Sequence, residues 1–346
     1  MVAVLVVLFL VVLVMSILLD NTKAARPVYY ILGCIILVYA IVVDKSELPD
    51  YQVYTRYLAS NYLIIEPSFI FIRWIVNSYF GGGEFYLFAI YLLLGCGLKL
   101  KILYKLSPLP IATLAVYLCS YFVYHELIQI RAGLAAVFLL ICIKYIKERD
   151  LKRFTICCIA AILCHYSAIM IIPLWFISAE KKHSLLYMML IPVGMVLNIQ
   201  GIDLVKLLSY VPIPYIQDKI VSYSSVSLDQ MDRGLLSADE YNPFITWYLL
   251  KVFIVYYFWI IIDKIKKYSP YALLFLKIYT LGVSLLWLLA SVPVAATRTS
   301  EFLAVVQIPL IPLSIYSVKS KVLSYVPITI ICMTWLYWII NSFIVS

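Results

Sequence analysis

Charge is scarce in this sequence. Asp, Glu, Lys and Arg make up 13% of its 346 residues, roughly half the share of a soluble globular protein. In their place, 65% of the chain is hydrophobic and the mean hydropathy is +1.00. A soluble domain of this length has too little interior to hide so much apolar surface. A cytosolic enzyme, a secreted disulfide scaffold and a disordered chain are therefore excluded. Cysteine pairing is also missing. Cys34, Cys96, Cys119, Cys142, Cys157, Cys158, Cys164 and Cys332 all lie in apolar runs and read as small packing residues. The three histidines, His125, His165 and His183, show no metal-ligand spacing with them. There is no Walker loop, dinucleotide glycine fingerprint, H-E-x-x-H helix, nucleophile elbow or external D-x-D pair. Nucleotide-driven work and metal hydrolysis have no support, and no cofactor or metal is expected. Strand-like alternation is absent, which excludes an outer-membrane barrel.

Continuous apolar runs are what the sequence does have, and in lipid such runs are helices that satisfy their own backbone. At about 20 residues per span, the expected fold is an all-α polytopic integral membrane protein with about 12 transmembrane helices (about 10–13) in a single transmembrane domain, 1–346. The spans read as 1–19, 27–43, 84–103, 109–124, 126–146, 154–166, 167–178, 184–199, 243–262, 271–292, 302–317 and 322–343. The first has no basic flank and no small-residue cleavage site, and reads as a retained span. The net charge of +9 reflects topology rather than nucleic-acid binding. Basic clusters at Lys23/Arg26, Lys99/Lys101/Lys105, Lys144 to Arg153, Lys181/Lys182, Lys264/Lys266/Lys267 and Lys319/Lys321 hold 17 of the 27 Lys and Arg residues. They share one side only if 154–178 enters the membrane and leaves again with a break near His165. The positive-inside rule makes that side cytoplasmic. Two longer polar segments, 44–83 and 200–242, then fall outside. The first contains a short or re-entrant helix from Ser68 to Phe80. The second opens with an interfacial helix from Asp203 to Val211 and carries Asp218, Asp229, Asp232, Asp239 and Glu240 against Lys206, Lys219 and Arg233. The 30 tyrosines mostly suit aromatic belts at the two interfaces; Tyr51, Tyr54, Tyr57, Tyr62, Tyr210, Tyr215, Tyr223 and Tyr241 lie in the external segments, where they can stack on sugar rings.

Ionisable groups at span ends are costly and therefore functional candidates. The sharpest block is His125-Glu126-Leu-Ile-Gln129-Ile-Arg131-Ala-Gly133-Leu-Ala135-Ala136. On one continuous helix His125, Gln129, Ala132, Gly133 and Ala136 share a stripe, and Arg131 points about 160° from Gln129. Arg131 suits a diphosphate through its planar fork; its alternative is snorkelling or pairing with an acid. His165, with Tyr166, Ser167 and Ala168, sits at the external break, where a neutral imidazole can take a proton from a hydroxyl or simply pack. Arg298 and Glu301 open the span 302–317, as a second anion-binding cation or as a local pair at a spacing of three. Glu66-Pro67-Ser68 reads as a helix start; Glu66 can orient a substrate hydroxyl or pair with an arginine. Arginines, a histidine, carboxylates and tyrosines on one external face suit a lipid-linked diphosphate carrying a sugar chain.

These blocks resemble the Wzy-type polysaccharide polymerases, in particular the EpsG-like branch. The carriers are Tyr54 with Glu66-Pro67-Ser68-Phe69, Tyr121-Phe122 with Gln129-Ile-Arg131-Ala-Gly133-Leu-Ala135, His165-x-Ser167-Ala168, and Arg298-x-x-Glu301-Phe302. Segment 200–242 departs from the pattern. The resemblance implies a GT-C-like, metal-independent glycosyltransferase in the bacterial inner membrane. Its substrate would be undecaprenyl-diphosphate-linked oligosaccharide, with membrane lipids around it and a chain-length regulator protein as a candidate partner. The growing chain would pass to the incoming unit at the periplasmic or external face, toward O-antigen, capsule or exopolysaccharide. Arg131 and Arg298 would hold the diphosphate, His165 would act as base, and Glu66 would orient the acceptor or support the arginines. Gln129, Tyr54, Glu126, Glu301 and Ser167 would contact substrate. A flippase for lipid-linked sugars, or an O-antigen ligase, are the alternatives.

Overall fold

The computed structural model describes residues 1–60, 65–202 and 242–344. Every regular element among them is helical. Tyr62, Tyr210, Tyr215, Tyr223 and Tyr241, expected on the external side, and the interfacial helix and acidic run expected from Asp203 onward, lie outside the described residues. Two compact units emerge, Met1–Ile177 with Asp263–Ala272 and Gln307–Ser346, and Ser178–Ile262 with Leu273–Val306.

In the first unit, α1 (Val2–Leu19), α2 (Ala25–Val42) and α5 (Glu84–Leu106) coincide with runs read as spans. At 1.5 Å per residue the 18 residues of α1 reach about 27 Å, close to the hydrocarbon thickness. Asp20, just after α1, accepts hydrogen bonds from the backbone of Ile111 and Ala112, each at 2.8 Å. It thus caps α6 (Pro110–Tyr117) from 91 residues away. Burial pushes its carboxyl up to about 6, against those two bonds. The hydroxyl of Tyr29 in α2 donates to Leu100 O at 2.7 Å, fastening α2 to α5.

Segment 44–83, expected to lie outside, contributes α3 (Tyr51–Ala59) and α4 (Pro67–Tyr79). Buried Arg73 donates to the carbonyls of Tyr57 (3.2 Å) and Ser60 (2.7 Å), closing the open end of α3. Pro67 opens α4 with Glu66 before it, where the missing N–H of proline costs nothing.

The expected boundary between spans 109–124 and 126–146 is displaced. α6 runs on as a π-helix, Leu118–Ile128, and the break comes at Gln129 (φ −96°, ψ 61°) before α7 (Ile130–Glu148). His125 and Glu126 therefore close one helix rather than open the next, and the predicted stripe from His125 to Ala136 does not form. The turn is sharp. A Cβ on Gly133 would lie 2.2 Å from His125 O, whereas eight residues of straight helix would put about 12 Å between them. Only glycine fits there. A π-helix of 11 residues is far longer than the usual single-turn bulge.

α8 (Leu151–Cys164) breaks at His165, whose backbone is extended, and a 3₁₀ helix, Tyr166–Phe176, follows. Arg149 donates to the carbonyls of Trp175 and Ile177, and the Phe154 and Trp175 rings lie 5.1 Å apart. The two arms thus form a hairpin with both open ends on one side and His165 at its tip. Each arm reaches about 21 Å, less than a full span.

Of the second unit, the described helices are α9 (Ser184–Ile199), most of α10 (Thr246–Ile265) and α11 (Ala272–Leu288), and α12 (Pro293–Ala304). Arg298 and Glu301 lie inside α12, not at the start of a span at 302. Back in the first unit, α13 (Lys321–Phe343) is tied to α1 by the Tyr325 hydroxyl donating to Ser16 O at 2.9 Å.

Among the described residues five helices are long and apolar enough to cross a membrane, or six if one bent pair counts as a span. The chain is thus an all-helical, multi-pass membrane protein. Several of the other expected spans fall short for identifiable reasons. The hairpin arms, α9 and α11 have fewer than 18 residues, and α7 carries Arg131, Lys144, Lys147 and Glu148.

Candidate active site

Three helix ends meet in the first unit: the start of α4, the start of α7 and the end of α8. Glu66 precedes α4 but does not cap it, which leaves its carboxylate free for side chains. One oxygen, Oε2, accepts a hydrogen bond from Arg131 in the first turn of α7. The other, Oε1, lies 2.8 Å from His165 Nδ1 at the hairpin tip. Glu66 is 6% exposed, Arg131 19% and His165 18%, so the carboxylate is hidden while its partners reach the surface. Burial disfavours its charged form, yet the bonds from His165 and the charge of Arg131 outweigh this and hold it at about 2. An ionised Glu66 accepts a hydrogen bond from Nδ1–H, which keeps the proton there and leaves Nε2 as an acceptor, the arrangement a general base requires.

Arg131 is clasped by rings. Its guanidinium carbon lies 5.4 Å from the centroid of Tyr54, 5.7 Å from Tyr57 and 5.8 Å from Phe69, within range for cation–π attraction. Burial, opposed by the Arg131 charge, pushes the Tyr54 hydroxyl up to about 12, so it stays protonated. With one nitrogen committed to Glu66, the buried Nε of Arg131 has no hydrogen-bond partner. An unmet buried donor is costly. The N-termini of α4 and α7 add partial positive charge nearby.

The structure thus brings together Glu66, Arg131, His165 and Tyr54. Gln129 is the hinge immediately before α7, and Ser167 follows His165 within the hairpin. Glu126, expected to contact substrate, instead pairs with Lys99; both are buried, at 2% and 0% exposure. That also removes Lys99 from the basic loop cluster to which the sequence assigned it. The rings of Tyr117 and His125 border the pair: Lys99 lies 5.5 Å from the Tyr117 centroid, and a buried His125 Nδ1 has no partner. In the second unit Glu301 pairs with Lys251, which is 1% exposed, while Arg298 is exposed one turn away. The pairing of Arg298 with Glu301 does not occur as the alternative supposed. Lys251 was missed, as was Lys277, which donates to Ser178 O at 2.6 Å and to Lys181 O. Their signal was available, since a lysine inside an apolar run needs a partner. Tyr57 was read only as one of eight external tyrosines and Phe69 only as part of the Glu66-Pro67-Ser68-Phe69 block; nothing in the sequence ties either ring to Arg131. Among the described residues no group of three or more His, Cys, Asp or Glu is placed to hold a metal ion.

A family model, the EpsG family, matches residues 28–346. The chain belongs to the EpsG family. Members of this family are Wzy-like polysaccharide polymerases, and the family is inner-membrane, in keeping with the multi-pass helices of this EpsG-family chain. No curated protein and no solved structure matches it.

Proposed function

We propose that this chain is a repeat-unit polymerase. It joins oligosaccharide units carried on a lipid diphosphate, undecaprenyl diphosphate, at the external face of the inner membrane, within a GT-C-like arrangement of about 12 spans. The observation that carries the reading is the carboxylate of Glu66 bridging His165 and Arg131. An acceptor hydroxyl attacks C1 of the donor sugar. His165 Nε2 takes the hydroxyl proton, a new C–O bond forms at C1, and the bond from C1 to the diphosphate breaks. The lipid diphosphate leaves with the electron pair. Arg131, held by Glu66 and three rings yet 19% exposed, offers the N–H donors that Glu66 does not use to the negative charge that grows on the leaving group. The N-termini of α4 and α7 favour the same anion. A diphosphate is a good leaving group, so no general acid is assigned. Gln129 and Ser167 are assigned to the substrate wall, and Tyr54, buried against Arg131, to holding the guanidinium. Glu126 drops out, because Lys99 occupies it. Arg298 and Glu301 belong to the second unit, and the reading rests on the first unit alone.

Deletion of the gene tests the function. The expected outcome is loss of the long glycan ladder while single units still reach their external acceptor. Units trapped on the cytoplasmic face would make the chain a flippase instead. An unchanged ladder would refute both.

A further inference from the structure

A cleft opens in the first unit, its Phe88 wall in ring contact with Tyr54 of the Arg131 cluster. It has a volume of about 310 Å³ and lies between the end of α2, the start of α3 and the start of α5. Asp44, Lys45, Tyr51, Glu84, Phe85 and Phe88 line it. The mechanism above uses none of them.

The lining combines two kinds of chemistry. Two carboxylates face one cavity: Asp44 Oδ1 accepts from the Ser46 backbone at 2.9 Å, and Glu84 Oε1 lies 3.4 Å from the Tyr51 hydroxyl. An ionised carboxylate has about four acceptor sites, so each retains capacity for hydroxyl donors. Lys45 is 7% exposed and donates to the carbonyls of Ile41 (3.3 Å) and Val43 (2.8 Å). An ammonium has three donors, so one remains. Among these groups stand rings. Tyr51 stacks on Phe88 with centroids 5.4 Å apart, and Phe85 is 56% exposed. An interfacial aromatic belt accounts for the rings but not for two carboxylates and a buried lysine within the same cleft. The donors and acceptors of a pyranose, with its apolar C–H face, match both kinds. Two negative charges against one positive leave the cleft net negative, which disfavours a uronate, a sulfate or a phosphate ester.

The cleft is also connected to the Arg131 cluster. Tyr51 and Tyr54 are three residues apart on α3, about one turn or 4.5 Å along the axis. Phe88 touches both, at 5.4 Å from Tyr51 and 5.9 Å from Tyr54. Tyr54 then lies beneath Arg131. Buried ring contacts, from Phe88 to Tyr54 to the guanidinium, therefore couple the wall of the cleft to Arg131.

We propose that this cleft is a subsite for a neutral pyranose of the glycan, held by Asp44, Glu84 and Lys45 and stacked on Phe85, one step along the chain from the reacting sugar. The inference rests on the polymerase reading and adds to it a site and a preference for uncharged sugar.

The test uses the full chain in lipid nanodiscs. The substrate is the lipid-linked repeat unit extracted from membranes of a strain lacking this gene. Glu84→Gln and Phe85→Ala are each expected to raise KM about tenfold, the loss of one charge-assisted bond or one stacked ring, with kcat within about twofold. A KM within about twofold of wild type in both variants overturns the subsite, as does a fall in kcat at fixed KM. A direct binding arm separates the two readings. It compares the neutral oligosaccharide released from that lipid with the same oligosaccharide oxidised to uronates at its primary hydroxyls. Weaker binding of the oxidised form, and of the neutral form by Glu84→Gln, supports the subsite; equal or stronger binding overturns it. If wild type makes no polymer, the polymerase reading fails and the binding arm alone decides the subsite.

Discussion

Replacing Glu66 by Gln removes one negative charge that two other residues share. The folded carboxyl sits at about 2 against an ordinary 4.5, worth on the order of 3 kcal/mol by proton linkage. Because the folded value is the lower one, this stabilisation is complete above about pH 4.5 and disappears as pH falls through about 2. Glu66→Gln should therefore unfold more readily at neutral pH and lose that acid-side dependence. The effect on turnover should be larger. A glutamine amide facing His165 donates to Nδ1, which forces the proton onto Nε2 and removes the base. A carboxylate-to-amide change in such a pair costs about 10⁴-fold in turnover. The assay is elongation of extracted lipid-linked units by purified protein in nanodiscs, with thermal unfolding in parallel from about pH 7 down through the carboxyl's ordinary 4.5 toward its folded value of about 2. A variant that elongates within about tenfold of wild type, well below the factor above, would refute the dyad.

Arg131→Lys keeps the cation but loses the planar fork and much of the stacking on Tyr54, Tyr57 and Phe69; turnover should fall about 10²-fold or more, measured by the same elongation assay. Lys99→Met leaves Glu126 charged and alone in a buried site and should cost about 3–5 kcal/mol, whereas Lys99→Met with Glu126→Leu should recover most of it; chemical denaturation in detergent reads the difference. Gly133→Ala drives a methyl into His125 O, a backbone atom that cannot rotate away. It should destabilise by about 1–3 kcal/mol or more and weaken activity with it, since Gly133 sits within the turn that places Arg131; thermal unfolding and elongation check both.

What could be read from the sequence follows from how locally each feature is encoded. α1, α2, α5 and α13 were legible because each is a continuous apolar run. The start of α4 was legible because Glu66-Pro67-Ser68 is a local signature, and the break at His165 because charge parity required a reversal near it. The pairing of Glu66 with Arg131 was one of three options open for each residue, and only packing across 65 residues selects it. The turn at Gln129 was not legible. Leu127, Ile128 and Ile130 are apolar on both sides, and the signal, Gly133, lies a full turn later and acts against His125. A π-helix has no residue pattern of its own, so its end could not be placed. Lys99 was misassigned because Lys101 and Lys105 beside it made it look like loop charge, and Glu126 was misassigned with it.

The most direct test of the central claim is elongation by the purified chain carrying His165→Ala. The account predicts that wild type extends extracted lipid-linked units into a ladder, and that His165→Ala, folded and still binding the unit, slows extension about 10²–10⁴-fold. Extension at the wild-type rate by His165→Ala would contradict it.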